Sequence, residues 1–221
     1  MKKAFTMLEL VFVIVIVGIL SVVAMPSFNR DTLQEAANQV VSHIRYTQHL
    51  AMMDDKFASN DANWFKGRWQ LQFGKSSSGT KNSGGEYAYS IYSDSGSYSG
   101  NPGISELAKN PLNKRQLMSG GYSNVIDWQE ARAVKKMNLG KSFGVKNIKF
   151  KGGCAVTAST TRIAFDNLGR PIIGNLSSSN RPYMLGKVSG APLMTQCKII
   201  LSSDRNITIA IEPETGYTHI L

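Results

Sequence analysis

The residue types best suited to chemistry do not form a catalytic set here. His43 and His49 lie six residues apart, which places them on different faces of a helix, and His219 is near the C-terminus. No G-x-S-x-G elbow, P-loop or G-x-G-x-x-G turn occurs. Asp94, Ser95 and Ser97 offer oxygen ligands, but their spacing completes no calcium loop. The chain therefore reads as a non-enzyme with no cofactor and no metal. Its two cysteines, Cys154 and Cys197, lack a C-x-x-C spacing. In an exported domain they would form one disulfide closing a loop of 43 residues, worth roughly 4 kcal/mol in the chain-entropy model. In a reducing compartment they would be two buried thiols.

One acidic residue sits in an unusual place. The chain begins MKKAFTMLELVFVIVIVGILSVVAMPSF, and Glu9 lies near one end of an apolar run. From Phe5 to Met25 that run has 21 residues, enough for a helix across a bilayer core of about 30 Å. Lys2 and Lys3 precede it, so the positive-inside rule places the N-terminus in the cytoplasm and the remainder outside. A carboxylate in lipid costs a few kcal/mol unless paired. A plain anchor gains nothing from Glu9. In a filament it could pair with the free amine of a neighbouring chain and set axial register. Two plainer readings are a signal peptide cut near Ala24 and an uncleaved signal anchor.

Ala4-Phe5-Thr6-Met7-Leu8-Glu9 resembles the type IV prepilin cleavage site. The resemblance implies that a prepilin peptidase cuts between Ala4 and Phe5 and methylates Phe5. It also implies that Glu9 supports assembly and that Pro26 kinks the helix. Ala4 departs from the family, which usually has Gly before the cut.

After Pro26, Leu33, Ala37, Val40, Ile44, Thr47 and Ala51 recur at steps of three or four, and Ala36 and Val41 widen the stripe. This predicts an amphipathic helix over 26–53, continuous with the apolar one and roughly 70 Å long in all. Residues 54–221 read as one β-rich domain. Strands are expected near Arg68–Phe73, Glu86–Ser93, Val145–Phe150, Ala155–Thr157, Arg162–Phe165, Pro171–Ile173, Cys197–Leu201 and Asn206–Glu212, with turn signals between them. Asp127-x-x-Glu130 reads as a capping box that starts a short helix reaching about Asn138. Trp64 and Trp69 read as core packing. The fold class expected is α+β, a long N-terminal helix on antiparallel sheet or sheets.

Further segments resemble the GspH/FimT group of minor pilins and pseudopilins. They are the helix end from His43 to Ala51, the W-x-x-G-x-W element from Trp64 to Trp69, F-D-N-L-G-R-P from Phe165 to Pro171, and the terminal strand with P-E-T-G from Asn206 to Leu221. The resemblance implies a lollipop-shaped pilin: leader 1–4, transmembrane or filament-core helix 5–25, amphipathic half 26–53 and globular domain 54–221. Residues from about 94 to 144 match nothing in the group and read as an insertion. The function implied is a minor subunit of a type II secretion pseudopilus or type IV pilus. Its partners would be other pilin or pseudopilin subunits, the prepilin peptidase and the inner membrane. It would be a single-pass inner-membrane protein with a periplasmic C-terminal domain, then part of the fibre.

The charge is uneven. The net formal charge is +10. From Lys109 to Lys151 there are ten basic residues against Asp127 and Glu130. Arg132, Lys135, Lys136, Lys141, Lys146, Lys149 and Lys151 are the candidate anion-binding residues, for DNA, an anionic glycan or an acidic partner. A solvated basic surface is the plainer reading. Few aromatics accompany the charges, so no base-stacking platform is evident.

Overall fold

The computed structural model describes residues 6–24, 31–79, 81–123, 125–157 and 160–221. The chain divides into two compact units, residues 1–31 and residues 32–221. In the first, α1 (Met7–Ala24) is an apolar helix of 18 residues, about 27 Å long. Among the described residues no helix is long and apolar enough to cross a membrane. Pro26, where a kink is expected, lies outside the described residues, so the expected continuous helix is described as α1 and a separate α2.

The second unit is α+β. It begins with α2 (Thr32–Met53), whose predicted stripe is buried: Leu33, Ala36, Ala37, Val40, Val41, Ile44, Thr47 and Ala51. Among the described residues eight strands follow: β1 (Trp69–Gly74), β2 (Ala88–Ser93), β3 (Asn147–Gly152), β4 (Arg162–Phe165), β5 (Pro171–Ile173), β6 (Cys197–Ser202), β7 (Asn206–Ile211) and β8 (Thr218–Ile220). They form two antiparallel sheets, in the orders β2-β1-β4-β5 and β3-β6-β7-β8. The α2 stripe packs on both: on β1 and β4 of the first sheet, and on β6, β7 and β8 of the second. Leu71, Phe73, Ile91, Ile163 and Phe165 meet Ile148, Phe150, Ile199, Leu201, Ile209 and Ile211 in one core around the helix.

The second sheet keeps the alternation of a half-buried strand. In β3, Ile148 and Phe150 are buried while Lys149 and Lys151 are exposed. The first sheet departs from it. Gln70 and Gln72 of β1 are as buried as Leu71 and Phe73, because its outer face is also covered. Tyr92 packs there with Leu107, Val125, Ile126 and Ala133. Ala164 and Ile172 pack with Leu176. The same 94–144 segment satisfies the free edge of β2. Ala108 N donates to Ile91 O, Ile91 N to Met118 O, and Gly120 N to Tyr89 O. An open edge, which would invite pairing with another chain, is thereby closed.

Three expectations are corrected. Asp127–Asn138 is not a helix. Asp127 N does donate to Glu130 Oε1 and Gln129 N to Asp127 Oδ1, but these bonds close a turn. The helix here, α3 (Leu139–Phe143), starts instead at Asn138, whose side chain accepts from Lys141 N. Residues 155–157 form no strand, since Ala155 N and Val156 N bond back to Gly152 O and Cys154 O in a tight turn. Core packing holds for Trp69, which is part-buried against the core, and is corrected for Trp64. Trp64 lies over the buried Arg68 guanidinium at 5.1 Å.

One part-buried group has its titration shifted by the fold. His43 Nδ1 lies 2.6 Å from the Tyr89 hydroxyl, which also accepts from Gln39 Nε2 at 2.9 Å. The Tyr89 hydrogen is therefore free to donate to a neutral imidazole. Burial lowers the His43 pKa from 6.5 to about 4. Above pH 6.5 both folded and unfolded chains hold His43 neutral. Below it the unfolded chain takes up a proton that the folded protein resists. Stability is then lost as pH falls from 6.5 towards 4, by on the order of 3 kcal/mol in total. We predict that His43→Gln reduces the drop in urea midpoint between pH 7 and pH 4.5. An unchanged drop would show that other groups carry it.

Candidate functional site

The sequence-predicted site residues lie at the start of α1, on the 94–144 segment and on the second sheet with its disulfide. At the first, Thr6 and Glu9 form a capping box. Thr6 N and Thr6 Oγ1 donate to Glu9 Oε2 at 2.9 and 2.8 Å, and Glu9 N donates to Thr6 Oγ1 at 3.4 Å. So Glu9 has a local role that a search for long-range partners misses: it satisfies the first turn and complements the positive end of the helix dipole. The T-x-x-E spacing is the signal that could have disclosed it. Ala4 and Phe5 lie outside the described residues.

The rest of α1 is apolar on all sides. Leu8, Phe12, Ile14, Val15, Ile19 and Leu20 are all more than half exposed. A helix apolar around its whole circumference is stable only inside an apolar surrounding, lipid or other helices.

In the second unit, α2 holds the two turn motifs against each other. Gln48 Nε2 donates to Gly169 O and Thr215 O, both at 2.8 Å. A Cβ on Gly216 would come within 2.6 Å of that nitrogen, and Gly216 has φ +65°, so this turn needs glycine for both reasons. Inside the F-D-N-L-G-R-P turn the fully buried Asp166 accepts from Leu168 N, Arg170 N, Arg170 Nε and the Tyr183 hydroxyl. Arg45 Nη2 donates to Thr218 O at 2.7 Å and fixes β8. These residues position turns. Gln48 could not be found from sequence because both partners lie more than a hundred residues away.

The basic residues separate into groups. Arg132 pairs with Glu130 at 2.8 Å, Lys136 with Glu35 at 3.4 Å and Lys146 with Asp204 at 2.8 Å. Lys141 lies over the Trp128 ring at 5.6 Å. Lys135 is exposed on the 94–144 segment. Lys149 and Lys151 project from β3 on the outer face of the second sheet. They are joined there by Lys198 of β6, which stands directly opposite Lys151. Like charges facing each other across strands are destabilising, and these three exposed lysines form a positive patch on that face. Lys198 is missed by sequence reading because only the strand register brings it beside Lys151.

Cys154 and Cys197 are joined in a disulfide that ties the turn after β3 to the start of β6. No known protein family, curated protein or solved structure matches this chain.

Proposed function

We propose that the protein is a minor structural subunit of a bacterial type II secretion pseudopilus or type IV pilus, of the GspH/FimT kind. A prepilin peptidase cuts between Ala4 and Phe5 and methylates Phe5. The apolar helix then holds the subunit in the inner membrane, with residues 32–221 in the periplasm. On assembly the same helix moves into the filament and packs against those of other subunits. Such head-to-tail contact is open and propagates as a fibre. In this role the subunit initiates, caps or adapts the fibre.

The observation that carries the reading is α1 itself. Its large apolar side chains are exposed on every side, so it requires an apolar surrounding. Its described 18 residues fall a little short of a bilayer core of about 30 Å, and the apolar run in the sequence adds Phe5, Thr6 and Met25. The disulfide agrees with an oxidising compartment such as the periplasm. Intact-mass and N-terminal peptide spectrometry of the cellular protein tests the reading. The expected N-terminus is methylated Phe5. An N-terminus at Met25, or an intact Met1, would contradict it.

A second reading rests on the lysine patch. Lys149, Lys151 and Lys198 are held together on an exposed sheet face despite their mutual repulsion, which suits DNA or an anionic glycan presented to the fibre tip. DNA retardation by the protein at low salt is expected to weaken by about tenfold or more when all three become Glu, because each lost phosphate contact removes a counterion-release contribution. Retardation that survives the triple change, or that is absent in the parent protein at low salt, would remove this reading.

A further inference from the structure

The two covers on the outer face of the first sheet meet at Gly100, where an added Cβ would lie 2.7 Å from Ser177 Oγ and 3.0 Å from Asn175 Oδ1, and they part beside that contact. The 94–144 segment covers β2, and residues 174–192 cover β5. Between them a cleft of about 260 Å³ opens onto β1 and β4. Its floor is Gln72 and Arg162, and Tyr122, Thr160, Asn175 and Ser189 stand on its walls. Tyr122 can take that place because β1 ends in glycine. A Cβ on Gly74 would meet the Tyr122 ring at 2.2 Å.

Arg162 gives the cleft its character. Its Nη1 donates to the Tyr92 hydroxyl and to Asn175 Oδ1, both at 3.1 Å, and to Gly100 O. The Gln72 amide meets its neighbours best with its oxygen toward Arg162, accepting from Nε at 3.1 Å and Nη2 at 2.7 Å. Among the described residues the second Nη2 hydrogen then has no acceptor. Every one of these partners is neutral, and Arg162 takes part in none of the ion pairs among the described residues. The nearest carboxylate lies on the far side of one residue, Gly100. Gly100 gives its carbonyl to Arg162 and its N–H to Asp94 Oδ2 at 2.6 Å. No carboxylate lines the cleft. Its walls are hydroxyls and amides, groups that exchange hydrogen bonds with a polyol.

We propose that this cleft is a binding site for a small hydroxyl-rich acid, of the class of sugar carboxylates. The guanidinium of Arg162 faces the carboxylate. Tyr122, Thr160, Asn175 and Ser189 face the hydroxyls. The volume suits a ligand below the usual drug-sized range, on the order of one sugar ring. The site stands apart from the lysine patch, which is on the other sheet, and does not depend on the assembly reading.

The test uses the full chain in a zwitterionic detergent without sugar headgroups, titrated with glucuronate and followed by saturation-transfer NMR. Glucose and acetate serve as the uncharged and hydroxyl-free comparators. Saturable glucuronate binding is expected, about tenfold or more tighter than either comparator, since both the charge and the hydroxyl contacts contribute. Asn175→Asp retains the oxygen that accepts from Arg162 and from Ser177 N, so the fold is kept while the Arg162 charge is neutralised. It is expected to weaken glucuronate by about tenfold or more with an unchanged unfolding midpoint. Tyr122→Phe, which removes one wall hydroxyl and leaves the ring over Gly74, is expected to weaken it as well. The proposal fails if glucuronate does not bind, if glucose or acetate binds as well, or if both variants bind like the parent.

Discussion

Residues 32–221 depend on one constraint: a single helix stripe must cover the inner faces of two sheets that share no ladder. Leu33, Val40, Val41 and Ile44 of α2 lie in the one core that the helix shares with both. Burying each such side chain contributes roughly 1.5–3 kcal/mol, and no strand-to-strand hydrogen bond could replace it. The polar side of the helix then acts as a clamp. Gln48 draws together the turns after β4 and β7, Arg45 holds β8, and Gln39 with His43 satisfies the buried Tyr89 hydroxyl. The disulfide adds a covalent tie only within the second sheet.

The covering of the first sheet is the second main feature. A sheet packed on a helix through one face would leave Gln70 and Gln72 in water. Here the 94–144 segment and residues 174–192 bury them, with Tyr92 and Ile172 anchoring the two covers. Polar groups so enclosed need partners. Arg162, Gln72, Tyr92 and Asn175 supply one another with them, and the cleft is where that network still reaches solvent.

Much of this is legible in the sequence, and the failures share a cause. The α2 stripe appears residue for residue because its period depends only on the helix and one buried face. The bounds of β4 and β5 follow from turn residues on either side. Cys154 and Cys197 pair as expected. By contrast, β1 reads as half-buried because its second cover comes from residues far along the chain. Glu130 makes its half of a capping box by accepting from Asp127 N, but Asp127 accepts from Gln129 N and no helix follows, since the segment is held by pairing with β2 and packing on Tyr92. Lys198 and Arg162 gain their meaning only from register and from loops that are distant in sequence. Local patterns report local structure. The surfaces that face solvent or ligands are made by contacts that no local pattern encodes.

In the account given, α1 is the element through which the subunit enters a fibre, and Glu9 serves that entry beyond capping its own helix. Filament incorporation of two variants in the native host separates the two roles. Thr6→Ala removes the side chain that bonds Glu9 locally, and Glu9→Leu removes the carboxylate itself. The account predicts that Glu9→Leu is processed and membrane-held yet missing from sheared filaments, while Thr6→Ala is incorporated at near the parental level. Incorporation of Glu9→Leu at the parental level would contradict it.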